Sequence, residues 1–264
     1  MRVFVNGIGL RGPGLDGWVA SRPVLAGSAD YVPSATIVPA SALLPTNERR
    51  RAAQIVKIAL AVGAEAFAAA ARSAAATATV FASSGGDGDT IHEILNVLAS
   101  SERALSPTKF HNSVHNAASG YWSIATGAQA ASTSLCCHDD SFAAGLLEAV
   151  VQAVTADAAV ALIAYDVPYP APLNETRPIT APFGVALVFS TVPDDRSLAS
   201  LDVTLRPEAM AAPVMAVPGL EALRRQIPAA RGLPVLAALA GGTAAAVSLN
   251  YLDNMVLRLR ISPV

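Results

Sequence analysis

The sequence predicts an α/β protein built on a mixed sheet. Three observations carry that expectation. Apolar strand-like runs alternate with longer stretches of helical period. One run, AAVALIAY at 158–165, is apolar throughout, as a strand buried on both faces would be. The C-terminal end reads as two strands across Asp253-Asn254, which gives the sheet an antiparallel finish.

The elements follow in order. Residues 2–8 alternate and end in glycines, so they form an opening strand and turn. Residues 10–45 are rich in Pro, Gly and Ser and read as loop with short elements. Thr46 or Asn47 can cap a helix that begins with Arg49, Arg50 and Arg51 and presents Ile55, Ile58, Ala59, Val62 and Phe67 on one face. ATVFA at 78–82 is a short buried strand. The Ser/Gly/Asp-rich turn at 83–89 leads into a helix over 90–100. That turn lacks the lysine of a phosphate-binding loop and carries Asp87 and Asp89, so it reads as a plain strand-to-helix connection.

Next come a small-residue helix over 117–126, a strand over 131–135 and a helix over 140–154. Residues 166–182 hold five prolines and read as loop, the best internal boundary in the chain. Strands at 183–192 and 201–205, helices at 216–226 and 233–240, and the closing hairpin at 244–250 and 256–261 complete the reading.

Composition narrows the function classes. The chain has 264 residues, 53% hydrophobic and 14% charged, with a net charge of −2. One domain is expected, with residues 1–166 and 183–264 as its two halves. The basic residues are scattered, which gives no case for nucleic acid. No apolar run reaches the ~18 residues of a membrane span, and the first residues form a strand pattern rather than a signal peptide. The expected location is the cytoplasm. Neighbouring cysteines cannot staple the chain usefully.

The chemistry-bearing residues crowd into 109–148, which holds three of the four histidines and both cysteines. Cys136, Cys137, His138, Asp139 and Asp140 precede a helix, where a thiolate is often stabilised. However, two adjacent aspartates raise a thiol pKa, and sequence neighbours seldom form a nucleophile–base pair. Consecutive Cys-Cys-His-Asp does not have the spacing of a metal site, so neither metal nor cofactor is expected. His111 and His115 are four apart, but Asn112 stands where a zinc protease needs Glu, so both read as hydrogen-bonding residues of a polar turn. No histidine follows His138, which excludes a C-terminal histidine as acid or base.

This region resembles the nucleophile segment of the β-ketoacyl synthases, condensing enzymes of the thiolase fold. Asn116-Ala117-Ala118-Ser119-Gly120, Gly127, Ser132-Thr133-Ser134-Leu135 and then Asp140-Ser141-Phe142-Ala143-Ala144-Gly145 follow the family's order of helix, strand and elbow. Aligned on Ala-Ala-Gly, the catalytic cysteine position falls on Phe142. The family's two later histidines are missing, and its closing glycine motif is echoed only by Gly241-Gly242 and Asn250. The chain therefore looks like a shortened chain length factor. FHNSVHNAASGYWSIATG, SFAAGLLEA and Tyr165-Asp166-Val167-Pro168 are similar to those of aryl polyene clusters. The likeness covers most of residues 1–192.

The resemblance implies a thiolase-like layered mixed sheet with an abbreviated second half. It implies a non-catalytic subunit that pairs with a catalytic ketosynthase as a heterodimer and shapes the acyl or polyene tunnel during carrier-protein-bound elongation. Ala131, Ser132, Thr133, Ser134 and Leu135 would form the interface strand. His111, Asn112, His115 and Phe142 are further interface or tunnel candidates. Two alternatives stand beside it. One is an active acyltransferase or condensing enzyme using Cys137 with His111 or His115. The other is a scaffold that meets acidic acyl carrier protein through Arg49, Arg50 and Arg51.

Overall fold

The computed structural model describes every residue except Glu102, Ala209 and Ala212. The chain opens with β1 (Arg2–Gly12), the two-residue β2 (Leu15–Asp16) and α1 (Trp18–Leu25). A long connection leads to α2 (Thr46–Arg51), α3 (Gln54–Ala70) and β3 (Ala78–Ala82). Then come α4 (Gly88–Ala99), α5 (Pro107–Asn112), α6 (Ala117–Thr126), β4 (Ser132–Leu135), α7 (Ser141–Ala156) and β5 (Val160–Asp166). The remainder is α8 (Leu173–Thr176), β6 (Phe183–Ser190), β7 (Ala199–Arg206), α9 (Pro218–Gln226), α10 (Leu233–Gly241), β8 (Ala245–Asn250) and β9 (Val256–Pro263).

The strands form one mixed sheet in the order β4-β3-β5-β6-β1-β7-β9-β8, with β2 attached to β1. Among the described residues only β4-β3 and β3-β5 are parallel pairs. β5 and β6 pair antiparallel across residues 167–182, so the sheet runs straight through the expected boundary. That segment also contains α8, which its prolines concealed.

Each face of the N-terminal part is covered. On one side α3 and α6 bury Ile58, Val62, Phe67 and Trp122 against Phe81, Ile163 and Val188. Trp122 lies 5.3 Å from Phe67 and 6.4 Å from Phe81 between ring centres. On the other side α7, α10 and the segment Pro228–Gly232 pack Phe142, Leu146, Val150 and Leu233 against Val80, Leu162 and Leu187. Continuous apolar strands are the consequence: every residue of β5 and β6 is buried.

The C-terminal strands differ. Leu257, Leu259 and Ile261 of β9 are buried, whereas Arg258 and Arg260 between them are exposed. Here the sheet has one packed and one solvated face, and its residues alternate accordingly.

The contact of β1 with α3 has no room for side chains. A Cβ on Gly7 would strike the Ala66 carbonyl, and one on Gly9 the Val62 carbonyl. Gly9→Val should therefore force α3 away from the sheet and cost about 3 kcal/mol. Chemical denaturation measures that loss directly.

Two helix starts differ from the sequence expectation. Pro45, not Thr46 or Asn47, occupies the cap position of α2. The three arginines also do not open the core helix. Ala52 and Ala53 are extended and separate α2 from α3. This break leaves α2 with no buried residue and the arginine run on a short, solvated turn.

Candidate functional site: a closed elbow at the sheet's carboxyl edge

The parallel strands β3, β4 and β5 end together at Ala82, Leu135 and Asp166. Crevices outside the carboxyl ends of such strands are where α/β sheets place their chemistry. Three loops meet there: Ser83–Asp87, Cys136–Asp140 and the start of 167–182. The segment Pro228–Gly232 closes over them.

Asp166 ties three of these pieces together. Its carboxylate accepts from Ser84 N at 2.8 Å, Ser84 Oγ at 2.7 Å, Ser83 Oγ at 3.3 Å and Ala229 N at 2.8 Å. Burial pushes its pKa up to about 6, against the four donors, which favour the ionised form. Ser84 Oγ also meets the Tyr169 hydroxyl at 3.3 Å. Arg177 donates to that hydroxyl at 2.6 Å and to Asp139 at 2.9 Å. Asp139 takes a second arginine, Arg231, at 2.8 Å, and Arg231 reaches Asp140 at 3.2 Å. The polar groups at this edge therefore bond mainly to one another, and the buried Arg177 Nε is the exception, with no hydrogen-bond partner among the described residues.

The elbow itself turns at His138, which has a left-handed backbone (φ 49°). A short 3-10 turn, His138–Asp140, then feeds α7, with Ser141 Oγ donating to the His138 carbonyl at 2.7 Å. Phe142 lies one turn farther, four residues beyond the reversal, in the first turn of α7. It is buried, and its ring lies against Gly232, where any Cβ would collide with it.

Among the described residues neither thiol is hydrogen-bonded to a basic side chain. Cys136 is exposed, and its Sγ donates to the Ser84 carbonyl at 3.1 Å. Burial, Asp140 and Cys136 all raise the Cys137 thiol above its ordinary pKa, the opposite of an activated nucleophile. Among the described residues neither thiol hydrogen-bonds a histidine, and no group of three metal-ligating side chains converges.

The other candidates are dispersed. His111 is exposed on α5, whereas His115 lies beyond that helix and meets the Ser83 carbonyl at 3.1 Å. The two are therefore not a pair on one helix face. Asn112 is buried, donating to the Arg51 carbonyl at 3.1 Å and accepting from the Tyr121 hydroxyl at 3.1 Å.

β4 is an edge strand. Thr79 N donates to Ala131 O and Ser83 N to Leu135 O, so the backbones of Thr133 and Leu135 face β3. By alternation, those of Ser132 and Ser134 point outward. Nearby, α4 buries only Thr90 and exposes Ile91, Leu95 and Leu98, one stripe at helical spacing. Phe110, Val114 and Ile124 are exposed as well. No described helix is long and apolar enough to cross a membrane.

Sequence reasoning overlooked Asp166, Arg177 and Arg231 as parts of this edge. The one available signal was an aspartate ending an apolar run.

Comparison with solved structures bears on the fold. A chain of the ketosynthase ApeO–chain length factor ApeC complex from Xenorhabdus doucetiae shares the fold at TM-score 0.74. It is 19% identical, with 98% of this chain and 99% of that one covered. A chain of the ishigamide ketosynthase/chain length factor gives TM-score 0.74 at 14% identity, with both chains covered in full. A chain of the AntDE:AntF complex, a type II acyl carrier protein with its ketosynthase bound to the hexaketide, gives 0.74 at 11% identity. Here 100% of this chain and 99% of that one are covered. No curated protein matches the sequence. The model of the β-ketoacyl synthase N-terminal domain matches residues 25–240, and the chain belongs to that family.

Proposed function

We propose that the chain is a non-catalytic chain length factor that pairs with a catalytic ketosynthase and forms part of its acyl-tunnel wall. The observation that carries this reading is the state of the elbow. A condensing enzyme needs an activated thiol and a base at this point. Here the available thiol is raised in pKa, Asp139 is held by two arginines, and Phe142 plugs the space beside Gly232. In this reading Phe142 fills the volume a nucleophile would serve.

The surface supports pairing. β4 offers unpaired backbone groups along its outer edge, which a second strand can extend. The exposed apolar side chains of α4, α5 and α6 suit a stable interface, whose core is apolar. The ketosynthase adds a malonyl unit to a carrier-bound acyl chain, and this subunit limits product length. The aryl polyene class of product follows from the sequence resemblance. Co-expression with a full-length ketosynthase from the same cluster, followed by light scattering, should give a one-to-one complex. A chain that stays monomeric beside it contradicts the reading.

A further inference from the structure

We propose that the cleft beside the closed elbow binds a small organic anion, with Arg225 as its main partner. The ligand class is one carboxylate or phosphate head on a short apolar body. This goes beyond the subunit's role in a complex and does not depend on it.

Two adjoining hollows carry the proposal. One, of about 250 Å³, is lined by Phe142, Ala143, Pro213 and Leu249 together with Arg224, Arg225 and Arg231. The other, of about 200 Å³, is lined by Pro178, Ile179 and Pro228 with Arg177, Arg225 and Arg231. Asp139, Arg225 and Arg231 belong to both, so they form the partition of one cleft.

The charges there do not balance. Asp139 and Asp140 hold Arg177 and Arg231. Glu221 holds Arg224 through two oxygens, at 2.7 and 2.6 Å, and these contacts bring its pKa down to about 2. Arg225 is left exposed with no ion-pair or hydrogen-bond partner among the described residues. Four guanidiniums thus meet three carboxylates, and the surplus charge lines a hollow whose wall is shared between the apolar Phe142, Ala143, Pro213 and Leu249 and the polar Asp139, Asp140 and Asn250. A guanidinium fork matches either oxyanion in a bidentate way. Arg224 and Arg231 already hold carboxylates and leave that task to Arg225.

Calorimetric titration of the full chain with butyrate, butyl phosphate and 1-butanol tests this. At least one anion should bind at roughly 1 mM or tighter, with butanol at least about tenfold weaker. The tighter of the two anions identifies the head group. Arg225→Ala should weaken binding about tenfold or more, and Arg225→Lys about threefold. Arg260→Ala, on the distant solvated sheet face, should change nothing. The melting temperature should stay the same in every variant, because neither Arg225 nor Arg260 makes an ion pair or side-chain hydrogen bond among the described residues. Equal binding by wild type and Arg225→Ala, or failure of both anions to bind at that concentration, overturns the proposal.

Discussion

Asp166→Asn should destabilise the fold by about 2 kcal/mol at pH 7, and the loss should grow to about 4 kcal/mol at pH 4.5. The first figure follows from geometry. The carboxylate accepts four hydrogen bonds, two of them from the backbone at Ser84 and Ala229. An amide keeps one acceptor oxygen and turns an NH2 group against a buried donor, which leaves polar groups unpaired.

The growth follows from linkage. Burial raises the folded pKa of Asp166 to about 6, above its ordinary value of 3.8. The folded state therefore binds more protons than the unfolded chain between those values. Acidification from pH 7 to 4.5 stabilises the wild type by about 2 kcal/mol through this group. The stabilisation is lost again as the pH rises through about 6. Asn has no such titration. The depressed Glu221 acts in the opposite sense at acid pH, but it is common to both proteins and cancels in the difference. Urea unfolding of both proteins from pH 4.5 to 7 measures this difference. A cost that shrinks on acidification would show that Asp166 is held ionised instead.

Ser134→Pro should abolish pairing with the ketosynthase, weakening it about 100-fold or more, while the isolated chain stays folded. The backbone N–H of Ser134 points to the free side of β4, so proline removes a donor that β3 does not use. Thr133, before it, is already extended, as a residue preceding proline must be. Thr133→Pro is the informative contrast, because it breaks the β3 ladder and should lower the melting temperature as well. Sedimentation of each variant with the ketosynthase separates the two effects. Unimpaired pairing by Ser134→Pro would move the interface away from this strand.

The legible parts of this chain are those whose signal is local. Predominantly apolar runs mark β3, β5 and β6, because strands covered on both faces leave little room for polar side chains. The turn at Gly241-Gly242 and the hairpin beyond it follow from residues that tolerate left-handed backbone. α1 has Pro23 inside it, and α5 is only six residues long, so neither shows a helical period. Nothing at Ala52-Ala53 announces the break between α2 and α3. The elbow was legible as strand, turn and helix, and its left-handed residue, His138, was not. The network around it could not be read at all. Asp139 finds Arg177 and Arg231 at separations of 38 and 92 residues, and Asp166 finds Ala229 at 63. Only the folded sheet brings those loops to one edge.

The central claim is that this elbow has lost its chemistry and serves a partner. Intact-mass measurement of the chain after incubation with acyl and malonyl carrier proteins, with and without the ketosynthase, tests it most directly. The account predicts that Cys136 and Cys137 stay unmodified and that the chain alone forms no condensed product. Elongation should appear only when ketosynthase and chain are combined. An acyl adduct at Cys137, or condensation by the chain alone, would contradict it.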